Sequence, residues 1–387
     1  MKVALISHEG GGISSVTSGL AKSLHKKGIK VTVFTGVASS APSKKKGDEN
    51  FEIVQYPIPD VPPRNIWFQI LNYNSLTRSL REFDLIHGVS PYASFGLTYF
   101  KNNIRRPFVS TIHDSHRYSR KAFLNQPFSS WTLSEIAYNF GAFPLYDYPV
   151  NRVIKYSDKV TMCSYSLLAN MSAYRKIDFR KVFVIQNGVD IEEIDSIPES
   201  RVKMKNDVSI VYGGRLFWTK GSLLLVKAFE RLSKDFDNVH LTIFGKGPLK
   251  KVIERYIENS SLEKKIDLPG YVSHKAILSE IKKADIVAFP SVAEAQPMFI
   301  LESMACRKPV VAFDFSFARE VIKDMDTGLL AKPLDIEDFS KKLGILVADG
   351  ELREKIGLSA YNHAKLAHNW DIQAEEYLKV YQKALER

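Results

Sequence analysis

The chain has 387 residues, of which 45% are hydrophobic and 25% charged, with 54 Lys and Arg against 43 Asp and Glu for a formal net charge of +11. This is an ordinary globular composition, and the length predicts two domains, each able to bury a sizeable core. No stretch approaches the roughly 18 uninterrupted apolar residues of a membrane helix. The apolar start, Val3 to Ile6, is too short for a signal-peptide core, so a cytoplasmic protein is expected. Cys163 and Cys306 lie far apart and form neither a CxxC motif nor a disulfide framework, which predicts buried, inert thiols.

The opening Lys2-Val3-Ala4-Leu5-Ile6-Ser7 is a short run of β-formers, followed by Gly10-Gly11-Gly12. Val16, Leu20 and Leu24 then recur at helical spacing until Gly28, and Lys30-Val31-Thr32-Val33-Phe34 is the next strand. This β-loop-α-β unit opens a parallel α/β sheet. Residues 38–66 hold Lys44-Lys45-Lys46 and five prolines, and read as an irregular surface loop. Strands are predicted at 84–87, 108–113, 159–163 and 182–185. Residues 122–150 are rich in aromatic side chains, which suit core packing or a membrane contact.

A break falls near residues 191–206. The βα alternation restarts at Val208-Ser209-Ile210-Val211-Tyr212, with a helix from Leu223 to Leu232 and further strands at 240–244, 286–289 and 309–313. Residues 372–385 read as a terminal amphipathic helix. The charge is uneven. Residues 1–195 carry 24 Lys and Arg against 16 Asp and Glu, and the remainder 30 against 27. The basic first half suits an anionic partner, either a phosphorylated acceptor or a membrane surface. Nucleic acid is not an expected partner, because neither zinc-finger spacing nor an RNA-binding aromatic signature is present.

Three segments carry candidate chemistry. Gly10-Gly11-Gly12 lies where a strand meets a helix, so it is either a tight turn or a place where backbone amides approach a phosphate or sugar. The GxGxxG spacing of a dinucleotide site is missing. Gly213-Gly214-Arg215-Leu216-Phe217-Trp218-Thr219-Lys220-Gly221 puts two cations beside a helix N-terminus. There Arg215 can fork onto phosphate oxygens and Lys220 can add a point charge. In the segment from Pro290 to Glu302, Glu294 and Glu302 flank Pro297, which suits the first turn of a helix. Amides near Met298, Phe299 and Ile300 would then face a ligand, and the carboxylates would accept from sugar hydroxyls. His113, at a strand end beside Asp114, is either a satisfied structural residue or a cleft residue. No Asp-x-Asp pair stands in a metal-like context, so no metal and no cofactor is expected.

With these segments in hand, the chain resembles the family 4 glycosyltransferases of the GT-B fold, the large retaining group. The match runs nearly end to end through the Gly loop, Thr111-Ile112-His113-Asp114, Asn187-Gly188-Val189-Asp190, Gly214-Arg215, Lys220-Gly221, Phe244-Gly245-Lys246-Gly247-Pro248, the two glutamates and Asp326-Thr327-Gly328-Leu329-Leu330. The resemblance implies two Rossmann-like βαβ domains with parallel sheets facing across a cleft. Residues 1–195 would bind the acceptor, 206–368 the nucleotide-sugar donor, and 369–387 would cross back onto the first domain.

The resemblance also implies roles. Arg215 and Lys220 would hold the donor diphosphate, Glu294 the sugar hydroxyls and Glu302 the ribose. His113 would sit near the transferred sugar, and Gly11 and Gly12 would leave room for sugar and acceptor. The base would stack near Tyr271. Gly214, Gly245, Gly247, Met298, Phe299 and Ile300 would complete the donor site. The implied activity is metal-independent, retaining transfer of a hexose-type sugar to an acceptor hydroxyl. The basic, aromatic first half points to a lipid-linked or membrane-proximal acceptor and a peripheral position on the inner membrane face. The alternatives are a sugar phosphorylase or synthase of the same fold, a nucleotide-sugar epimerase, and a non-catalytic protein that binds nucleotide or anionic lipid. Two departures leave the donor sugar unassigned: Ala-Gln-Pro follows Glu294, and residues 315–320 read Phe-Ser-Phe-Ala-Arg-Glu where a Gly-Gly pair is common.

Overall fold

A computed structural model describes the chain apart from residues 9–10, 39–43, 48–50, 61–63, 100, 115, 126–130, 142, 199–206 and 387. Eight strands form the first sheet: β1 (Lys2–Ile6), β2 (Lys30–Ala38), β3 (Lys44–Gly47), β4 (Glu52–Ile58), β5 (Leu85–Gly88), β6 (Phe108–Ile112), β7 (Lys159–Met162) and β8 (Val182–Val184). Their order is β3-β4-β2-β1-β5-β6-β7-β8, parallel throughout except for the antiparallel β3–β4 pair. Six strands form the second: β9 (Val208–Gly213), β10 (Val239–Phe244), β11 (Ile266–Gly270), β12 (Ile286–Phe289), β13 (Val310–Phe313) and β14 (Leu329–Ala331). Their order is β11-β10-β9-β12-β13-β14, all parallel. Central strands such as Val3-Ala4-Leu5-Ile6 and Val310-Val311-Ala312-Phe313 are buried along their length, as expected where helices cover both faces of a parallel sheet. In the second sheet, the helix Ser222–Asp235 packs into the cluster with Ile210, Leu241 and Phe339. Met298–Ala305 packs into the opposite cluster with Val211, Val287 and Ala312.

Two strands lie inside the expected surface loop 38–66. β4 pairs with β2 from Thr32↔Glu52 to Ala38↔Ile58, and buries Tyr56 and Ile58. Prolines suggested a loop, but Pro57 lies past the Gln55-to-Glu52 stretch where β3 pairs, so its missing N–H breaks no bond to that edge strand. The Lys44–Lys46 run, expected in a solvated loop, belongs to β3.

The chain divides into two compact units, Met1–Ser115 with Phe143–Gly188 and Asn369–Arg387, and His116–Ala142 with Val189–His368. The terminal helix Trp370–Leu385 starts two residues before the 372–385 read from the sequence, and the segment Asn369–Arg387 that holds it falls in the first unit. Two other boundaries differ from the expected 1–195 and 206–368. Residues 189–195 go with the second unit because Ile191 and Ile194 pack among Ile300, Leu301 and Met304. Residues 116–142 do so because Ala122 packs on the second unit's core and Glu135, 2% exposed, accepts from the Trp218 amide at 2.9 Å. Part of the aromatic segment is thereby accounted for. Phe123 is buried against Trp131, with ring centroids 4.7 Å apart, whereas Phe140 and Tyr148 are exposed. Cys163 and Cys306 are buried and form no disulfide. No helix among the described residues is long and apolar enough to cross a membrane.

Inside the first unit, the terminal helix is stitched to the sheet by a buried polar network. His87 Nδ1 lies 2.7 Å from the Tyr381 hydroxyl, and His87 Nε2 lies 2.6 Å from Thr111 Oγ1, which in turn is 2.6 Å from Thr161 Oγ1. Burial, with His113 nearby, drives the His87 pKa down to about 3. The ring is therefore neutral, donating from one nitrogen and accepting at the other.

Candidate functional site

In each sheet the chain leaves a central strand to one side and later returns to its other side. In the second sheet that strand is β9, flanked by β10 and β12. Ligands of open parallel sheets bind at the carboxyl ends of the strands at such a switch point. The loops that meet there are 214–221 after β9, 245–249 after β10 and 290–297 after β12.

Backbone hydrogen bonds lay the first two loops side by side: Gly214 N donates to Phe244 O at 3.0 Å and Leu216 N to Lys246 O at 3.0 Å. At Gly245 φ is +147°, and a Cβ would come within 1.8 Å of the Gly214 carbonyl. A side chain there would push the loops apart. A Cβ at Gly247 would likewise meet Leu216 O at 2.4 Å, and one at Gly214 the Tyr212 hydroxyl at 2.6 Å. These three expected donor-site glycines thus have a packing reason of their own. The 3-10 turn Trp218–Lys220 ends at Gly221, whose φ of 68° and approach to Pro290 O admit only glycine without strain. Val292 N donates to Thr219 O at 2.9 Å, which ties the third loop to the first.

The loops bring the expected charges together. Lys220 Nζ lies 2.5 Å from Glu294 Oε1, with both side chains less than one-fifth exposed. A cation suited to phosphate and a carboxylate suited to hydroxyls therefore share one contact. Arg215 is exposed, its guanidinium 5.2 Å from the Phe217 ring. The helix Met298–Ala305 starts one residue later than expected, because Pro297 is its extended N-cap rather than part of its first turn. Ile300 is a correction: its amide donates to Pro297 O at 3.2 Å and its side chain is wholly buried, so it offers a ligand neither group. Met298 and Phe299 keep first-turn amides that the helix itself does not satisfy. The Phe299 ring turns inward to stack on Phe289 at 6.3 Å.

Glu302 is 7% exposed, and its Oε1 lies 2.8 Å from His274 Nε2. The hydrogen bond to Glu302 raises the His274 pKa. Burial opposes the rise, and the charges of Glu302 and Glu193 reinforce it. Tyr271 is exposed, with Lys246 Nζ 4.9 Å from its ring centroid. Three supporting residues were not anticipated from the sequence: His274, Glu135 and Tyr212, whose buried hydroxyl lies under the loop 3.4 Å from the carbonyls of Arg215 and Lys220. His274 had one signal, its place at the start of a helix capped by Ser273 directly after the Gly270-Tyr271-Val272 segment.

His113, Gly11 and Gly12 belong to the first unit. Gly11 and Gly12 form the first turn of the helix Gly11–Lys26 rather than a loop before it; Gly10 lies outside the described residues. His113 follows β6. Both of its ring nitrogens are buried and make no hydrogen bond of ordinary geometry. Burial lowers its pKa to about 4; neighbouring His8 adds to the fall and the Val89 backbone weakly opposes it. It is a neutral imidazole with donor and acceptor capacity to spare. Its neighbour Asp114 accepts from the Tyr92 hydroxyl at 2.9 Å.

Known proteins resemble this chain in sequence and fold. Residues 10–193 match the model of the Glycosyltransferase Family 4 family, and residues 193–363 match that of Glycosyl transferases group 1. An uncharacterized glycosyltransferase of Methanocaldococcus jannaschii is 26% identical over 347 residues, 86% of this chain and 82% of its own. A phosphatidyl-myo-inositol mannosyltransferase of Mycobacterium leprae is 26% identical over 200 residues, 51% of this chain and 52% of its own. Among solved structures, Anabaena HepE in complex with UDP and glucose superposes with a TM-score of 0.73 at 18% identity, covering 99% of this chain and 100% of that one.

Proposed function

Because this chain belongs to the family 4 glycosyltransferases of the GT-B fold, we propose that it moves a hexose-type sugar from a nucleoside diphosphate donor to an acceptor hydroxyl with retention of configuration and without a metal. The second unit would hold the donor and the first the acceptor. The observation that carries this reading is the Lys220–Glu294 contact beside Arg215 at the β9 switch point. The diphosphate would lie against Arg215, Lys220 and the first-turn amides of Met298 and Phe299. Lys220 would exchange its bond to Glu294 for one to phosphate, which frees Glu294 for sugar hydroxyls.

The bond from the anomeric carbon to the diphosphate breaks, and negative charge collects on the leaving phosphate. Arg215 and Lys220 stabilise that charge, supplying what a metal would otherwise bring. The acceptor hydroxyl attacks the same face of the sugar, and a leaving phosphate oxygen takes its proton. Neutral His113 would hydrogen-bond the transferred sugar rather than add a positive charge.

We also read the acceptor as lipid-linked or membrane-proximal, and the protein as cytoplasmic and peripheral on an anionic membrane face. The basic first half supports this reading, as do the exposed Tyr99 and Tyr156, whose rings lie 3.5 and 4.4 Å from the Arg152 guanidinium. One M. leprae relative is, by its name, a phosphatidyl-myo-inositol mannosyltransferase. The test is release of nucleoside diphosphate from UDP-, GDP- and ADP-sugars in excess chelator, with the product's anomeric configuration read by NMR. An inverted product refutes the retaining mechanism, and activity that needs a divalent ion refutes metal independence.

A further inference from the structure

We infer that His274 is a positioning residue for the nucleotide donor, holding one oxygen of Glu302 so that the other faces the vicinal hydroxyls of a ribose. This inference rests on the donor reading above. Glu302 projects from the helix after β12, at the switch point, and is almost wholly buried. A buried carboxylate needs partners, and a free one samples several rotamers. Oε1 is held by His274 Nε2 at 2.8 Å, while Oε2 has no hydrogen-bond partner among the described residues.

The backbone that carries the imidazole is itself fixed. His274 is the first residue of the helix His274–Lys283, whose N-cap Ser273 accepts from the Ala276 amide at 3.3 Å. The strand end and loop Gly270 to Val272, where the base is expected, run directly into that cap. One short segment would therefore seat the base and orient the carboxylate that reads the sugar next to it. Recognition of the ribose diol would depend on His274 even though His274 need not touch the nucleotide.

The test compares affinities for UDP, GDP and ADP with those for their 2′,3′-dideoxy counterparts, by titration calorimetry on the intact protein in chelator. The wild type is expected to prefer the ribonucleotide of its own base by roughly tenfold or more, the scale of a charged hydrogen-bonding site left unpaired. In His274→Ala that preference should shrink to about threefold or less, while affinity for the dideoxy form stays within about twofold of wild type. His274→Gln, which keeps a side-chain N–H donor, should restore most of the preference. An unchanged preference in His274→Ala overturns the inference. An equal loss for both nucleotide forms also overturns it, since that is the mark of a structural role only. A wild type that binds none of the three diphosphates, or does not distinguish them from the dideoxy forms, refutes the donor reading and this inference with it.

Discussion

Mild acid should weaken the first unit through His87. In the folded protein burial holds its pKa at about 3, against an ordinary value near 6.5 in the unfolded chain. Between those values the unfolded state binds a proton that the folded state refuses, so stability must fall as pH falls. The contribution is complete above pH 6.5 and is lost steadily below it. At pH 5.0, about 1.5 units below the ordinary value and at ~1.4 kcal/mol per unit, His87 alone should cost about 2 kcal/mol. His113 shifts the same way, whereas His274 in the second unit has a raised pKa and opposite sign. The assay is urea unfolding at pH 7.5 and 5.0, read by pulsed hydrogen exchange on peptides from β5 and β6 and from β9 and β10. His87→Asn should be less stable than wild type at pH 7.5, because Thr111 and Tyr381 lose well-placed partners. Its loss of stability between the two pH values should be smaller by about 2 kcal/mol. The same loss in both proteins would refute the assignment.

Arg215→Ala should leave the fold intact and lower turnover on the order of a hundredfold or more, as loss of a charge-stabilising group does; wild-type turnover would sink its assigned role. Gly245→Ala should destabilise the second unit by more than 1 kcal/mol, because its Cβ meets the Gly214 carbonyl. Chemical denaturation checks this, and an unchanged midpoint contradicts the loop packing. Glu135→Ala removes the acceptor of the buried Trp218 amide, which should cost about 1–3 kcal/mol and make residues 131–141 more sensitive to limited proteolysis. Equal sensitivity would show that this contact does not fasten the segment. The protein should sediment with anionic vesicles more than with neutral ones, and salt should weaken the effect. Equal partitioning removes the electrostatic argument for membrane contact.

The buried strands were legible because their apolar runs have no competing interpretation. The missed strands were short or unusual. β4 carries Pro57, β11 carries Pro269, and the edge strand β14 is three residues long. The charges at the β9 loop were legible as a cluster because glycines and a helix start surround them. The partners inside the site were not. The Lys220–Glu294 contact joins residues 74 positions apart and the His274–Glu302 contact joins residues 28 apart, and local spacing carries no trace of either. Ile300 was misread because its amide was assigned to the site by position alone, whereas in the structure that amide donates to the Pro297 carbonyl. Residues 116–142 were placed in the first unit by chain order, and it takes the packing of Ala122 and the buried Glu135–Trp218 contact to show where they belong.

The most direct test of donor binding at the β9 switch point is hydrogen exchange with and without UDP, GDP or ADP, in excess chelator. The account predicts that one of these nucleotides slows exchange across residues 214–221 and at the first-turn amides of Met298 and Phe299, and that Lys220→Ala with Arg215→Ala abolishes the effect. Exchange unchanged by all three nucleotides, or protection that avoids these segments or survives in the double variant, would contradict it.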